Sequence, residues 1–394
     1  MKFDIVIFLF LLILTGCVSR EDFPDEDELN STVSSITINT KTRDASPETA
    51  FLEPGEAEAI IITKNDFNES TKLYISQLGT SQSPNFTNLD QEAPYLYIYD
   101  YKANPDANWD NEYNFVTNPE RKPIDWKDVT NLGSVGNTFS FYAMYCPGSQ
   151  DVRFNVERDQ TGGDGDPYSF DRFKLSDIMG AYHATSSLYT RMRFRLFHLM
   201  VYLKITVYVP VLESTEIDYS GFDEDALKNA YILNAYNSFT IDWRANKSSD
   251  NEAPLAQGAG SKVKSIRMYK HKPDFTTFSL NNINDFYPQG KENTDSVRAY
   301  NFSVLFPAGQ DFNNNFLCLE LEAIDHQRKY YYFSGSQANN STGEFSLTQG
   351  TLQQLYLYLP RKTNETILVK AKILPWYESS TEMTVTKKEG NGKN

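Results

Sequence analysis

Residues 197–210 alternate between apolar and polar positions over an unusual length. Apolar side chains fall on every second position, at Phe197, Leu199, Val201, Leu203, Ile205, Val207 and Val209. A period of two is that of a β-strand, and the β-branched residues favour a strand as well. Because one strand usually has about 3 to 10 residues, we expect this segment to bend or to be split by a bulge. The alternation also predicts that Leu203 and Ile205 face a core and that Lys204 does not.

Shorter alternating runs recur along the chain and predict an all-β fold. They cover residues 59–63, 73–75, 95–101, 139–145, 152–156, 300–306, 316–324 and 329–333. Residues 355–359 and 367–373 predict a hairpin that turns at 360–365. The aromatic content of 14% supports strands over helices, and only residues 222–230 suggest a helix.

The polar residues 183–187 are typical of a connector, so the long alternating segment that follows marks a seam between two β-domains. The 394 residues are enough for about two domains, each with its own core. We therefore predict an N-terminal β-sandwich domain over 34–187 and a C-terminal one over 188–394.

The first 17 residues have the pattern of a targeting segment. An apolar run from Ile5 to Leu14 is too short to span a membrane and is followed by Thr-Gly-Cys17. This resembles a bacterial lipoprotein signal, in which the cysteine is acylated and becomes the first residue. Lipidation of Cys17 would anchor the protein to a membrane without inserting it. The alternative is an ordinary secretory peptide with an incidental cysteine.

Residues 18–33 carry a run of acidic side chains and predict an extended tether. An acidic run directly after the lipidated cysteine resembles the surface-export signal of Bacteroidetes lipoproteins, and a solvated spacer is the alternative. The net charge of −15 argues against nucleic acid or an anionic membrane face as a partner. Cys146 and Cys318 lie in different predicted domains, so we expect two buried free thiols.

No residue pattern predicts an enzyme, a cofactor or a metal. The four histidines stand apart, without the spacing of a metal site or a nucleophile elbow, and His198 is expected to be a hydrogen-bonded structural residue. Asp159, Asp164 and Asp166 could gather around calcium, but their spacing does not match an EF-hand loop.

Several stretches, taken in order, resemble the fimbrillin family of Bacteroidetes, the Mfa-like and FimA-like lipoproteins. They are the Leu-Thr-Gly-Cys17 start, residues 139–147 and 156–160, residues 173–179, residues 196–204, and the closing segment 350–376. The resemblance implies two tandem transthyretin-like β-sandwich domains in a subunit of a type V pilus. It further implies assembly at the outer membrane after a protease removes the first strand and a strand of a neighbouring subunit takes its place.

On this resemblance, residues 33–39 are the candidate displaced strand, with Ile36 and Ile38 as anchors, and Arg43 is the candidate site of trypsin-like cleavage. Alternatively, Arg43 is a solvated turn residue. The candidate donor strand lies in residues 379–386, with Thr381, Met383 and Val385 as modest anchors. Alternatively, this last strand completes the fold of its own chain.

The sequence therefore predicts a surface-exposed, outer membrane fimbrial subunit that binds other fimbrial subunits and adheres to host or bacterial surfaces. A glycan-binding surface lipoprotein of a polysaccharide uptake system is the alternative, with Trp109 and Trp126 as candidate sugar platforms. The sequence leaves open whether the subunit is a stalk, tip or anchor component.

Overall fold

The computed structural model describes most of the chain in segments. These are residues 36–40, 54–60, 70–78, 84, 86, 96–102, 112–117, 139–148, 152–163, 165–185, 191–211, 225–243, 253–279, 296–310, 315–322, 326, 328–334, 347–359, 367–375 and 382–386. The chain divides into two units, Met1–Val33 and Ser34–Asn394. Every described residue belongs to the second unit.

Strands form nearly all of the regular structure in these segments, which confirms the all-β prediction. In chain order they are β1 (Ile36–Thr40), β2 (Lys72–Leu78), β3 (Leu96–Lys102), β4 (Glu112–Thr117), β5 (Phe139–Tyr145), β6 (Met179–Thr185), β7 (Arg191–Arg195), β8 (Phe197–His198), β9 (Val201–Pro210), β10 (Leu227–Ala235), β11 (Phe239–Asp242), β12 (Leu255–Gly258), β13 (Val263–Arg267), β14 (Tyr269–Lys270), β15 (Thr277–Ser279), β16 (Ser296–Phe306), β17 (Asn315–Glu322), β18 (Arg328–Ser334), β19 (Thr351–Tyr358), β20 (Ile367–Pro375) and β21 (Glu382–Thr386). One helical turn, α1 (Asp171–Lys174), precedes β6.

A seven-stranded sheet has the order β1-β20-β19-β9-β16-β14, and β15 also pairs with β16. The β19–β20 pair is antiparallel and confirms the predicted hairpin. β19 runs parallel to β9, and β1 runs parallel to β20. The sheet thus combines residues from both ends of the described chain.

An eight-stranded sheet has the order β7-β21-β4-β3-β2-β5-β6-β8. A four-stranded sheet, β13-β10-β17-β18, and a two-stranded pair, β11-β12, complete the described strands. β1 therefore pairs with a strand from beyond residue 188, and β21 pairs with β4, from before that residue, and with β7, from just after it. The predicted division into domains 34–187 and 188–394 stays a prediction.

The long alternating segment splits in two, as predicted. β8 pairs with β6 in the eight-stranded sheet, whereas β9 lies in the seven-stranded sheet. Leu199 and Met200 lie between them and are completely buried. The chain thus passes from one sheet to the other at a point where its apolar side chains remain in the core.

One hydrophobic cluster joins the seven-stranded and four-stranded sheets and also reaches Tyr74 and Tyr142 of the eight-stranded sheet. One face of β9 supplies Leu203, Ile205 and Val207, which are completely buried. Ile232 of β10 and Leu319 of β17 belong to the same hydrophobic cluster. Alternate residues of both sheets fill the space between them, as in a β-sandwich.

Lys204 lies on the face of β9 opposite Leu203 and Ile205, as predicted, but that face is covered as well, and Lys204 is only 1% exposed. Three other local expectations are wrong. Residues 227–230, predicted as part of a helix, begin strand β10 because they pair with β17. Residues 152–156 form no strand and make only a single bridge from Asn155 to Ser238. The predicted connector 183–187 is a strand as far as Thr185.

Cys146 and Cys318 are buried free thiols, as predicted. Burial raises the pKa of Cys146 to about 11 and that of Cys318 to about 12. In the segments that the structure describes, no helix has both the length and the apolar character needed to cross a membrane.

Candidate functional site

β1 lies at an edge of the seven-stranded sheet. Its five residues pair in parallel with β20, from Ile36 opposite Ile367 to Thr40 opposite Ala371. In the described part of the chain, β20 is the one strand that pairs with β1. The predicted displaced strand is therefore a short edge strand, held by one ladder.

The register shows which strand positions lie level with β1. Ile36 lies opposite Ile367, and Ile38 lies opposite Val369. Val369 is in turn level with Leu357 of β19 and Val207 of β9, which are both buried in the core. The role of Ile36 and Ile38 as anchors stays a prediction.

The opposite face of the same sheet is buried and polar. Lys204 and Thr206 of β9 lie level with Ser303 and Asn301 of β16 and with Gln354 and Tyr356 of β19. Residues 54–60, which we call the strap, contact this face and have no regular secondary structure. The strap supplies the partners that a buried polar face requires.

Glu56 of the strap makes the central contact. Its carboxylate lies 2.8 Å from the ammonium group of Lys204, and each side chain is 1% exposed. The Tyr356 hydroxyl donates to the other carboxylate oxygen at 2.8 Å, and the Gln354 amide also donates to Glu56. One carboxylate therefore accepts hydrogen bonds from donors on two neighbouring strands.

The backbone of the strap is held as well. Tyr208 donates to the carbonyl oxygen of Pro54 at 3.1 Å, and Asn301 donates to that of Gly55 at 2.8 Å. The Ile60 amide donates to the Tyr202 hydroxyl at 2.9 Å. The strap is thus bound along its length through both side chain and main chain.

Gly55 allows the strap to approach the sheet closely. Its φ is +73°, a conformation that residues with a side chain rarely adopt. A Cβ atom built there would lie 2.5 Å from the Cβ of Ala299 and 2.7 Å from the ring of Phe278. Both the backbone angle and the space therefore require glycine.

A histidine and a serine extend the polar face. His271 Nε2 lies 2.7 Å from Ser303 Oγ, which lies 3.2 Å from the Tyr202 hydroxyl. Burial, together with the charge of Lys204, lowers the pKa of His271 to about 3. Burial raises the pKa of Tyr202 to about 12. Ser303 is completely buried in the middle of β16, so its hydroxyl is out of reach of a substrate and the contact is structural.

His198 has the structural role that the sequence predicts. Its Nδ1 lies 2.7 Å from a carboxylate oxygen of Asp177, and both side chains are 3% exposed. The pair lies at the point where the chain passes from β8 to β9. It therefore fixes the crossover between the two sheets.

The structure also places two of the three predicted donor-strand anchors. Met383 and Val385 belong to β21, which pairs in parallel with β4 and antiparallel with β7. This strand has a neighbour on each side within the eight-stranded sheet. Thr381, Arg43 and Cys17 lie outside the described residues, so their roles stay predictions.

The other candidate sites are only partly described. Asp159 bonds to Thr161 and lies 3.6 Å from Arg267, and Asp166 accepts from the amide of Tyr168. The described segments contain no group of three or more His, Cys, Asp or Glu side chains placed to hold a metal. Asp164, Trp109 and Trp126 lie outside these segments.

Sequence reasoning missed the strap. Pro54-Gly55 predicts a turn, but no local pattern shows that Glu56 lies against a strand 148 positions later. The available signal was Lys204 itself, a charged residue in the middle of a long strand of core-forming residues. Such a residue implies a buried partner of opposite charge.

Comparisons with known proteins give only distant structural likenesses. No protein-family model matches the chain, and no curated protein does. Among solved structures, a candidate cell-adhesion protein of Bacteroides uniformis has 11% identity and a TM-score of 0.42, over 80% of this chain and 94% of that one. A candidate cell-adhesion protein of Bacteroides ovatus has 12% identity and a TM-score of 0.39, over 89% of this chain and 100% of that one.

The tip fimbrial protein Mfa3 of Porphyromonas gingivalis, with a C-terminal truncation, has 12% identity and a TM-score of 0.29. That likeness covers 79% of this chain and 96% of the other. All three TM-scores are below 0.5. The function proposed next therefore rests on the residues and strand order of this chain.

Proposed function

We propose that this protein is an adhesive fimbrial subunit at the cell surface, whose precursor is anchored in the outer membrane through a lipid on Cys17 until cleavage after Arg43. It acts by binding other fimbrial subunits and surface ligands rather than by catalysis. The observation that supports this proposal best is the position of β1, a five-residue edge strand that pairs, in the described part of the chain, with β20 alone. Such a strand can be removed and replaced by a strand of the same pattern.

The replacement follows from the pairing of β20. If β1 leaves, the edge of β20 exposes a row of unpaired N–H and C=O groups beside apolar core positions. A strand from another subunit restores both kinds of contact by β-augmentation. To reproduce the ladder of β1, the incoming strand must run parallel to β20 and place apolar residues level with Ile367 and Val369.

Cleavage after Arg43 would separate β1 from the rest of the chain. Arg43 follows Thr40, the last residue of β1, by three positions and precedes the strap by eleven. A cut there leaves both elements whole. No other peptide bond has to be cleaved to separate β1 from the strap.

The pairing of β21 favours a subunit that accepts a strand and donates none. β21 lies between β4 and β7, so donating it would break two ladders at once. This corresponds to a tip or accessory subunit more closely than to a stalk subunit. In the assembly proposed here, a strand of another subunit enters beside β20, and β21 stays in its own sheet.

Mapping of the N-terminal peptide by mass spectrometry, on all of the protein at the cell surface, tests the processing step. We expect an N-terminus at Asp44, and its loss in Arg43→Ala but not in Lys41→Ala, the neighbouring basic residue. If all surface protein begins at acylated Cys17, the processing step is wrong.

Strand acceptance is tested separately with purified residues 18–394. After treatment with a trypsin-like protease, a labelled peptide of residues 34–41 should bind to the cleaved protein and not to the uncleaved one. Equal binding to both forms contradicts exchange at β20. Electrophoresis without boiling should show no ladder of this subunit alone if β21 is retained, and a ladder that depends on residues 379–394 would make it a stalk subunit.

A further inference from the structure

The contacts of residues 54–60 separate the N-terminal region into a removable part and a fixed part. β1 is held by a ladder to one strand. The strap contacts three strands, β9, β16 and β19, through the hydrogen bonds of Pro54, Gly55, Glu56 and Ile60. These two elements are joined by residues 41–53.

The charge on Lys204 makes the strap costly to lose. Lys204 is buried in the middle of β9, where its ammonium group lies beside the Glu56 carboxylate. If the strap left, this ion pair would be lost together with the hydrogen bonds from Gln354 and Tyr356 to Glu56 and the main-chain bonds of Pro54, Gly55 and Ile60. Loss of β1 breaks a single edge ladder, whose backbone groups water or another strand can satisfy.

The strap is also matched in shape to the sheet. Gly55 fits against Ala299 and Phe278 at distances that no other residue allows. A peptide that merely covered a polar surface would not need this fit. The shape of the strap at Gly55 and its charge at Glu56 therefore both favour binding to this face of the sheet.

We call the edge of β20 that β1 occupies, together with the neighbouring strap, the exchange site. From this geometry we infer that the strap stays bound to the sheet when β1 is exchanged, and that Glu56 and Lys204 are the residues that position it. When β1 is removed, residues 54–60 stay bound, so the exchangeable segment ends within residues 41–53. The sheet that receives a new strand beside β20 is thus the sheet with the strap in place. This inference rests on the proposed strand exchange, but its test does not require assembly.

A spin label on the strap tests the inference. Glu58 is exposed, so Glu58→Cys offers a site for a nitroxide without removing a described contact of the polar face. Cys146 and Cys318 are buried with raised pKa values and will react slowly. In residues 18–394, a recognition sequence for a site-specific protease inserted after Arg43 permits cleavage whether or not Arg43 is a natural site.

We expect the label to stay immobile after cleavage and after removal of the N-terminal fragment by gel filtration. With Lys204→Met added, the cleaved protein should show a mobile label. Lys228→Met is the matched control, since Lys228 pairs with Asp225 at the surface, and it should leave the label immobile. If Lys204→Met prevents folding, Tyr356→Phe removes one donor to Glu56 and should raise the mobile fraction after cleavage.

A label that becomes mobile in the cleaved parent protein, while the sheet stays folded by circular dichroism, overturns the inference. The inference is also wrong if, after cleavage, the Lys204→Met and Tyr356→Phe variants give the same nitroxide spectrum as the parent protein. Failure of the peptide to bind beside β20 contradicts the proposed function instead. The proposed strand exchange and the inferred retention of the strap can therefore be refuted independently.

Discussion

Replacing Lys204 by methionine measures what the buried ion pair beneath the strap contributes to stability. Methionine keeps an unbranched apolar side chain in the space of the lysine stem and removes the ammonium group. The Glu56 carboxylate, which is 1% exposed, then loses this cation, although Gln354 and Tyr356 still donate to it. The substitution thus isolates the charge from the packing.

The expected loss follows from the burial of both groups. Removing one partner of a buried ion pair costs about 3 to 5 kcal/mol. The hydrogen bonds from Gln354 and Tyr356 to Glu56 remain in the variant, so the carboxylate is not left without donors. We therefore expect a loss of about 3 kcal/mol, near the lower end of that range. Leu203→Ala, on the core face of the same strand, should cost about 2 to 5 kcal/mol.

Urea unfolding followed by tryptophan fluorescence gives these losses from the shift in midpoint at a constant slope. The double variant Glu56→Gln with Lys204→Met removes both charges and keeps an acceptor, so it should lose less than Lys204→Met alone. Lys228→Met removes an exposed pair and should cost about 1 kcal/mol or less. If Lys204→Met costs no more than Lys228→Met, and the double variant shows no coupling, the buried-pair argument is wrong.

Three other predictions concern single groups. Gly55→Ala should cost about 1 to 3 kcal/mol because of its positive φ and the missing space, whereas Gly163→Ala, with nothing within 4 Å, should change the melting temperature little. The pKa of His271 is about 3 in the folded protein and 6.5 in the unfolded chain, so between these values the unfolded state binds one more proton. The free energy of unfolding should therefore fall as the pH drops from 6.5 towards 3. In melts at a series of pH values, His271→Gln should make this fall less steep. Cys146 and Cys318 should react with a disulfide reagent at pH 8 only after denaturation, and prompt reaction of the folded protein would contradict their burial.

The strands were predictable where a local period decided them. β5 has the predicted bounds, and the break between β8 and β9 follows from the length of the alternating segment. Residues 152–156 alternate but form no ladder, because alternation gives a strand only where a partner strand is available. Residues 227–230 form a strand because they pair with β17, a contact across about ninety residues of chain.

The exchange site was only half predictable. Alternation singled out Ile36 and Ile38, and both belong to the edge strand β1, opposite Ile367 and Val369; their role as anchors stays a prediction. The strap was missed because its partners are far away in sequence: the contacts of Glu56 join positions separated by 148 to 300 residues. Alternation along β9 shows that Lys204 and Leu203 point to opposite faces, but it does not show which faces are covered.

These separations also order the assembly of the polar face. Loop closure costs entropy before a contact forms, so contacts between distant residues form after local ones. The hairpin of β19 and β20 can form locally, whereas the strap needs donors from β9, β16 and β19, which the ribosome makes more than 140 residues later. β1 likewise requires β20. We therefore expect the N-terminal region, which is made first, to dock last; within it, the strap contacts three strands and β1 pairs with one. A segment that is held last and by one ladder is the part of such a chain that can be exchanged without unfolding the rest.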